Sequence, residues 1–482
     1  MVTPSRVAAK VLASARLIAN RERAGAWLVG GTIRDRLLGR PVADIDVVVA
    51  PPLTPAQLTS RVAAELGLPH FVLSDRFNTH RLVWPGGHLD VTALRGDTIL
   101  ADLSLRDFTV NAMGEPLEGG DIIDPHGGRA DTAAARLCEV SGRIFSDDPL
   151  RLLRVARFSL TLGFRPTSGL VRLAQMSAHL LPRVAPERAW AEVAVTLEAG
   201  PGAQPAQLWD DLGLLAVLFP EVKALQNVRQ STNHHLDVYG HTLEALEHVE
   251  RLMAEPESVF PDSAAAVRFR LGIPVDGGIS RQAAMRLAVL LHDMAKPDTR
   301  TIDALGRLSF WGHEEKGAPL ARDVCRRLHT SNAVAGLVEA VVGKHLLLGF
   351  LQNKKPLWDH DVVGFLWATA PWEPEVIMAC VADRLATHGP MTAQRFINRH
   401  LTLARHLMWS WMERRRQGVP PLPLPGDEIG RRVGVQPGPE LGRLLRRLRL
   451  LWEAGEIADE EGLLCLARAV LQQGNPRGRG II

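Results

Sequence analysis

Cysteine is scarce in this chain: Cys138, Cys325, Cys380 and Cys465 are scattered through 482 residues, and no CxxC pair occurs. A disulfide framework and a thiolate site for structural zinc are both excluded as expectations. No uncharged apolar run reads as long enough to cross a bilayer, and the N-terminus lacks a signal-peptide pattern. The expected address is therefore cytoplasmic, with no membrane partner. Lysine is sparse beside arginine, and a net charge of +3 leaves little overall field. The basic residues cluster instead, with Arg151, Arg154 and Arg157 in one run and Arg443, Arg446, Arg447 and Arg449 in another. Such runs fit a phosphate-rich partner, because each neutralised phosphate releases condensed counterions. A solvated helix face is the plain alternative for each.

What is present is a folded chain, 46% hydrophobic and 23% charged, long enough for two to four domains. Helical spacing of Val7, Val11, Leu12, Ala15 and Ile18 predicts a helix within residues 1–24. Strand-like runs follow at Ala26–Val29, Ile45–Ala50, Phe71–Leu73, Arg81–Trp84 and Leu89–Leu94, and beyond about residue 125 strand signals almost vanish. The expected fold is an α+β head, a mixed sheet with helices, followed by mostly α-helical segments. The divisions read as 1–128 (head), 129–225 (helical neck), 226–415 (a second helical domain) and 416–482 (a tail after the proline-rich stretch from Pro420 to Pro425). No internal repeat is present.

The most informative stretch is LVGGTIRDRLLGRPVADIDVVV, residues 28–49. A strand ends at Val29, Gly30 and Gly31 turn the chain, and a helix begins near Thr32. Glycine lets backbone approach a ligand closely, and helix N-terminal amides suit an anion such as a triphosphate. Asp44 and Asp46 stand two apart in a strand, so both carboxylates project from one face. Like charges that close call for a cation, and Mg²⁺ takes hard oxygen ligands from carboxylates and phosphates. Asp90, in a second strand-like stretch, offers a third carboxylate. A solvated acidic pair at a strand end is the bland alternative.

The order GG-x-x-RD, LGR and D-x-D resembles the head of the bacterial and eukaryotic tRNA nucleotidyltransferases and bacterial poly(A) polymerases. The likeness continues through RDFTVNAM (106–113), IIDPHGG (122–128), DDPLRLLRVARFSLTLGF (147–164) and PERAWAEV (186–193). It implies that Asp44 and Asp46 carry Mg²⁺, with Asp90 where the family has its third acid. Gly30, Gly31, Arg34 and Asp35 would hold the triphosphate, and Arg106, Asp107 and Asn111 the ribose and phosphates. Asp148, Arg151, Arg154 and Arg157 recur every third position, which predicts one helix face. Carboxylate acceptors and guanidinium donors can imitate a base edge, and in the family this motif reads cytosine or adenine without a template. Asp147 stands where the family usually has Glu, and Leu105 where it often has Arg. Arg106 follows Asp90 by only 16 positions; full CCA-adding members carry a longer loop there, associated with switching from CTP to ATP. The implied activity is addition of CC, or of the full CCA, to tRNA 3′ ends from CTP and ATP. A poly(A) polymerase or an A-adding enzyme is the alternative within that chemistry.

A second constellation runs YGHTLEAL, LLHDMAKP, GHEEKGAPLA, VVGKHLLL and CVADRLA. His241, His292, Asp293 and Asp383 match the ordered signature of HD-domain metal phosphohydrolases. His313 and His345 lie where members with a second metal place extra ligands. Imidazole and carboxylate donors suit Mn²⁺, Ni²⁺, Fe or Mg²⁺, and Lys296 could meet a phosphate. The resemblance implies metal-assisted hydrolysis of a phosphoester, such as an RNA 3′ phosphate or 2′,3′-cyclic phosphate. A scaffold that only holds tRNA is the alternative. In the tail, VQPGPELGRLLRRL (435–448) resembles the family's basic tail helix, with Leu441, Leu444, Leu445 and Leu448 inward and the arginines outward.

Overall fold

The computed structural model describes residues 6–75, 78–276 and 278–472. Its first element, α1 (Arg6–Arg21), buries Ala8, Val11, Ala15 and Ile18, the stripe expected of a 3.6-residue period. Residues 1–5 of the expected helix lie outside the described part. There follow β1 (Ala26–Val29), α2 (Gly31–Leu37), β2 (Asp44–Val49), α3 (Pro55–Leu66), β3 (His70–Ser74), β4 (Thr79–Trp84), β5 (Gly87–Ala93), α4 (Ile99–Ser104) and β6 (Gly114–Pro116). The strands form one sheet in the order β3-β4-β5-β2-β1-β6. Within this sheet β2 and β5 are the parallel pair, with Asp44 opposite His88 and Asp46 opposite Asp90.

The reason lies in the alternation of β2. Ile45, Val47 and Val49 are buried with Leu82, Leu89 and Val91 of the neighbouring strands, and with Leu58 and Val62 of α3 and Val11 and Ile18 of α1. Asp44 and Asp46 therefore point to the opposite face. A one-residue slip would turn the three apolar side chains out, forfeiting roughly 1.5–3 kcal/mol each, and drive two carboxylates into the core. Hydrophobic burial thus fixes where the acids go. The helix α3 starts on Pro55 behind Thr54, whose side chain accepts from the Gln57 amide at 3.2 Å while Gln57 bonds back to Thr54 at 3.0 Å.

The chain resolves into two compact units. One runs to Glu192 and includes Leu208–Val217; the other holds Val193–Gln207 and everything from Leu218 onward. After β6 the strands are short two-residue pairs and the rest is helical, as the loss of strand signals beyond residue 125 predicts. In the second unit every residue of the helix Arg281–Leu291 except Gln282 is buried. Its two arginines are satisfied inside: Arg281 meets Glu375 at 2.6 Å, and Arg286 meets Glu250 at 2.7 Å and the Leu197 carbonyl. The tail helix Pro439–Glu453 buries Leu441, Leu444 and Leu448, half-buries Leu445, and exposes Arg443, Arg446, Arg447 and Arg449.

The span Asn332–Gln352 has the length and mean apolarity of a membrane helix, although it is not free of charge. It breaks between Lys344 and Leu347, and carries Glu339 in an ion pair with Arg322. Its inner face (Val334, Leu337, Val338, Val341 and Val342) is buried in the helical bundle, which accounts for its composition without a bilayer.

Candidate active site and metal centre

A cavity of about 630 Å³ opens on the polar face of the sheet. The β1 strand delivers Gly30 to it at φ 66, where an added Cβ would sit 2.9 Å from an Arg106 nitrogen and 3.5 Å from an Asp46 oxygen. The positive φ favours glycine there, and a side chain would also have to displace the end of Arg106. Thr32, in the first turn of α2, ties this turn to the acids: its hydroxyl accepts from the Asp46 amide at 2.8 Å and donates to the Asp44 carbonyl at 3.4 Å. Asp44 is largely exposed and Asp46 is not. Burial pushes the Asp46 carboxyl above its ordinary range, and the nearby Asp90 charge pushes the same way, against Arg106, His88 and Arg154. A carboxylate so placed is short of positive charge, which suits it to a cation.

Asp90 stands opposite Asp46, as the strand register requires, but both its oxygens are taken by the Arg81 guanidinium at 2.7 Å each. His88 lies between Asp44 and Asp90, 2.8 Å from the first and 3.7 Å from the second.

Behind the acids lies a chain of paired groups. Arg34 donates to Asp35 at 2.9 Å and to the Asn111 side-chain oxygen at 2.6 Å. Asn111 donates on to Asp107 at 3.0 Å, which also accepts from the Phe108 amide at 2.8 Å and faces Arg154 at 2.8 Å. Burial opposes the Asp107 charge, yet Arg154, Asn111 and Phe108 outweigh it and hold the carboxyl below its usual range. Arg34, Arg154 and Arg157 surround the Phe158 ring at 5.3, 5.3 and 4.5 Å from its centre, a stacking that spaces like charges. Arg157 also meets Glu192 of the PERAWAEV run at 3.1 Å. Asp124 of IIDPHGG accepts from the Gly128 and Arg129 amides, closing the turn that carries Gly128 against the Thr109 carbonyl.

Asp148 departs from the expected helix face. The helix begins at Arg151, and Asp148 is extended at φ −147, ψ 102, because Pro149 disfavours helical backbone in the residue before it. Arg151, Arg154 and Arg157 line the cavity; Asp148 does not. Asp148 instead meets Arg188 at 3.2 Å, and Arg151 donates to the Leu105 carbonyl at 2.8 Å.

The second unit gathers the other constellation at one buried point. His241 comes from the helix Val238–Ala254, His292 and Asp293 from the end of Arg281–Leu291, His313 from the start of His313–Arg327, His345 from the end of Asn332–Lys344, and Asp383 from Glu373–Leu385. Each imidazole donates Nδ1–H to a backbone carbonyl: His241 to Ala386, His292 to Val289, His313 to Phe310, His345 to Val342. A neutral ring so held presents a bare Nε2. Two such nitrogens, of His313 and His345, lie 3.1 Å apart, and His292 Nε2 and Asp293 Oδ1 are buried without a hydrogen-bond partner. Lone pairs converging this way fit a cation.

The ligands form two sets, His241, His292 and Asp383 in one and Asp293, His313 and His345 in the other. Asp293 reaches both: one oxygen is 3.2 Å from His292, the other 3.2 Å from His313. A carboxylate so placed could serve an ion in either set. Lys296 contacts Asp293 at 2.6 Å and the Gln230 side chain at 2.8 Å. His234 packs edge-on to His241 at 5.0 Å; burial, then Lys296 and His241, push its pKa down to about 4.

Comparison with known proteins decides the family. The family model described as "Poly A polymerase head domain" matches residues 26–100, and "HD domain" matches residues 238–388. The "A-adding tRNA nucleotidyltransferase" of Deinococcus radiodurans is 32% identical, over 93% of this chain and 95% of its own length. The chain belongs to the tRNA nucleotidyltransferase family. The "CC-adding tRNA nucleotidyltransferase" of Thermus thermophilus is 31% identical over 90% of this chain and 91% of its own. A solved CCA-adding enzyme with ATP shares the fold at a TM-score of 0.66 and 20% identity, covering 98% of this chain and 96% of that one.

As a tRNA nucleotidyltransferase with an HD domain, the chain is an enzyme, and its family uses divalent metal. Sequence reading passed over Arg81, His88, Arg95 and Phe158, which line the cavity. Phe158 lay inside a quoted motif, but the β-strand partners Arg81 and His88 gave no signal until the register placed them beside Asp90 and Asp44. Gln230 and His234, just ahead of the matched HD domain, were missed because their contacts with Lys296 and His241 join segments remote in the chain.

Proposed function

We propose that the enzyme adds C to tRNA 3′ ends, as CC or as the full CCA, from CTP and ATP with release of pyrophosphate. What carries the reading is the shared face of Asp44 and Asp46 beside the Gly30–Gly31 turn, in a cavity that seven arginines also line. Mg²⁺ held by the two acids would activate the 3′-hydroxyl and steady the leaving pyrophosphate. Gly30, Gly31 and Arg34, oriented by Asp35, receive the triphosphate. Arg106, Asp107 and Asn111 hold the ribose and phosphates, and Arg151, Arg154 and Arg157 face the base. Asp148 reads a base edge only once its pairing with Arg188 opens. Asp90 acts through Arg81 and His88, fixing the position of Asp44 rather than lending both oxygens to an ion.

The connection between β5 and α4 spans only residues 94–98, and Arg95 within it is tied to Asp102 at 2.9 Å. That tether favours CC addition over a nucleotide-switching loop. The test is extension of tRNA lacking CCA with CTP, ATP or both. Two additions from CTP and none beyond with both supports CC addition. Three additions with both means full CCA, and an ATP-only product means an A-adding or poly(A) enzyme.

The placement of Asp293 between two ligand sets favours a second activity, hydrolysis of an RNA 3′ phosphate or 2′,3′-cyclic phosphate. His241, His292, Asp293 and Asp383, with His313 and His345, would hold one or two ions among Mn²⁺, Ni²⁺, Fe and Mg²⁺, and Lys296 would meet the phosphate. Release of phosphate from a 3′-phosphorylated oligonucleotide, lost on chelation, tests it. We keep the division at 128, 225 and 415 as the functional partition, with the basic tail helix gripping the tRNA body.

A further inference from the structure

Outside both sites, Glu244, His248 and His388 bring a carboxylate and two imidazoles together, their ligand atoms all within 4.8 Å of one another. Glu244 and His248 are one helical turn apart on Val238–Ala254, the spacing that places two side chains on one face. His388 follows Glu373–Leu385, the helix that carries Asp383. The same two segments position both groups: His241 meets Asp383 at 2.9 Å, and His248, further along its helix, meets His388 just beyond the end of Glu373–Leu385, ring centres 6.3 Å apart. His248 lies seven residues past His241, about 10 Å along the axis, so the two groups share no ligand. His235 flanks the cluster, 3.6 Å from Glu244 and with its ring 6.2 Å from His388.

The His235 ring is the nearest cationic partner of Glu244, and at 3.6 Å it is too far for a hydrogen bond. One Glu244 oxygen is buried without a hydrogen-bond partner, and among the described residues no lysine or arginine pairs with this carboxylate. A buried carboxylate oxygen left so costs stability unless a cation meets it.

We propose that Glu244, His248 and His388 form a separate transition-metal site, with His235 available as a fourth ligand. Two or three imidazoles with one carboxylate select Zn²⁺, Co²⁺, Ni²⁺ or Cu²⁺ over Mg²⁺ or Ca²⁺. His388 is exposed, so the site is open to solvent, and its remaining positions are accessible to water or a phosphate oxygen.

The test is Co²⁺ titration of the metal-stripped full chain, followed by visible absorption and elemental analysis. The doubly substituted His248→Gln, His388→Gln protein is expected to bind one equivalent fewer than wild type while keeping the HD-domain metal. His292→Ala with Asp293→Ala is expected to do the reverse and keep the extra equivalent. Glu244→Gln, which preserves shape, weakens that equivalent about ten-fold or more, since even an outer partner of a ligand is worth that much. Equal stoichiometry in wild type and the His248/His388 variant overturns the proposal. So does simultaneous loss of the HD-domain metal, which would make these residues part of that centre, and so does loss of the extra equivalent from the His292/Asp293 variant.

Discussion

Replacing Asp107 with asparagine keeps the side chain's volume and removes one charge. The carboxylate is 5% exposed and faces Arg154 at 2.8 Å, while Arg154 keeps 33% of its side-chain surface. Breaking a fully buried ion pair on one side costs about 3–5 kcal/mol. Solvent around Arg154 discounts that to about 2–3 kcal/mol. For a unit of this size each kcal/mol shifts the melting point by about 2–4 °C, giving a fall of about 4–12 °C. Removing Arg154 as well, as Asp107→Asn with Arg154→Met, leaves no stranded charge and costs less than the single change. The KM for CTP should rise about ten-fold or more in both, because a charge-assisted hydrogen bond is lost. Calorimetry and transfer kinetics on the full chain provide the readouts. The Asp107 carboxyl sits below its usual range in the fold, so its stabilisation is present above the unfolded pKa of about 4 and lost as pH falls through the lower folded value. The wild-type advantage should stay flat from pH 8 to 5 and shrink below about pH 4. A single variant that melts with wild type at pH 7 would refute the assignment of Asp107 as a buried counter-charge.

Three further outcomes are expected. Asp44→Ala with Asp46→Ala lowers nucleotide transfer about a thousand-fold or more, since metal polarisation is worth several kcal/mol, while tRNA binding by gel shift and phosphate release persist; His292→Ala with Asp293→Ala does the converse. Glu375→Gln strands Arg270 and Arg281, 2.9 and 2.6 Å from a wholly buried carboxylate, and destabilises the second unit by about 3–5 kcal/mol in urea, with transfer rates unchanged in the folded protein. Burial pushes the pKa of His400 down to about 4, so the unfolded chain takes up its proton first. Stability should therefore fall as pH drops from about 6.5 to 4, by up to about 1.4 kcal/mol per pH unit from this residue. His400→Gln should flatten that part of the urea-midpoint profile, and an unchanged profile would exclude His400 as its source.

The chemistry of this protein is largely written in short local patterns. The two-residue period of DIDVVV sends its acids and its apolar side chains to opposite faces, and a glycine pair before a helix needs no distant contact to turn. The leucine spacing of 441–448 likewise dictates which side of the tail helix is buried. These features follow from neighbours a few residues apart, so sequence alone determines them. Helical spacing misled at Asp148, because Pro149 breaks the period locally. What only the tertiary structure decided are contacts between elements remote in the chain. The parallel register of β2 on β5 sets Asp90 opposite Asp46, and β4 then hands both Asp90 oxygens to Arg81. The packing of five helices places Asp293 between two ligand sets, and the pairing of Val238–Ala254 with Glu373–Leu385 assembles Glu244, His248 and His388. A side chain's type and local face are sequence properties; which partner fills its remaining valence depends on which elements the core draws together.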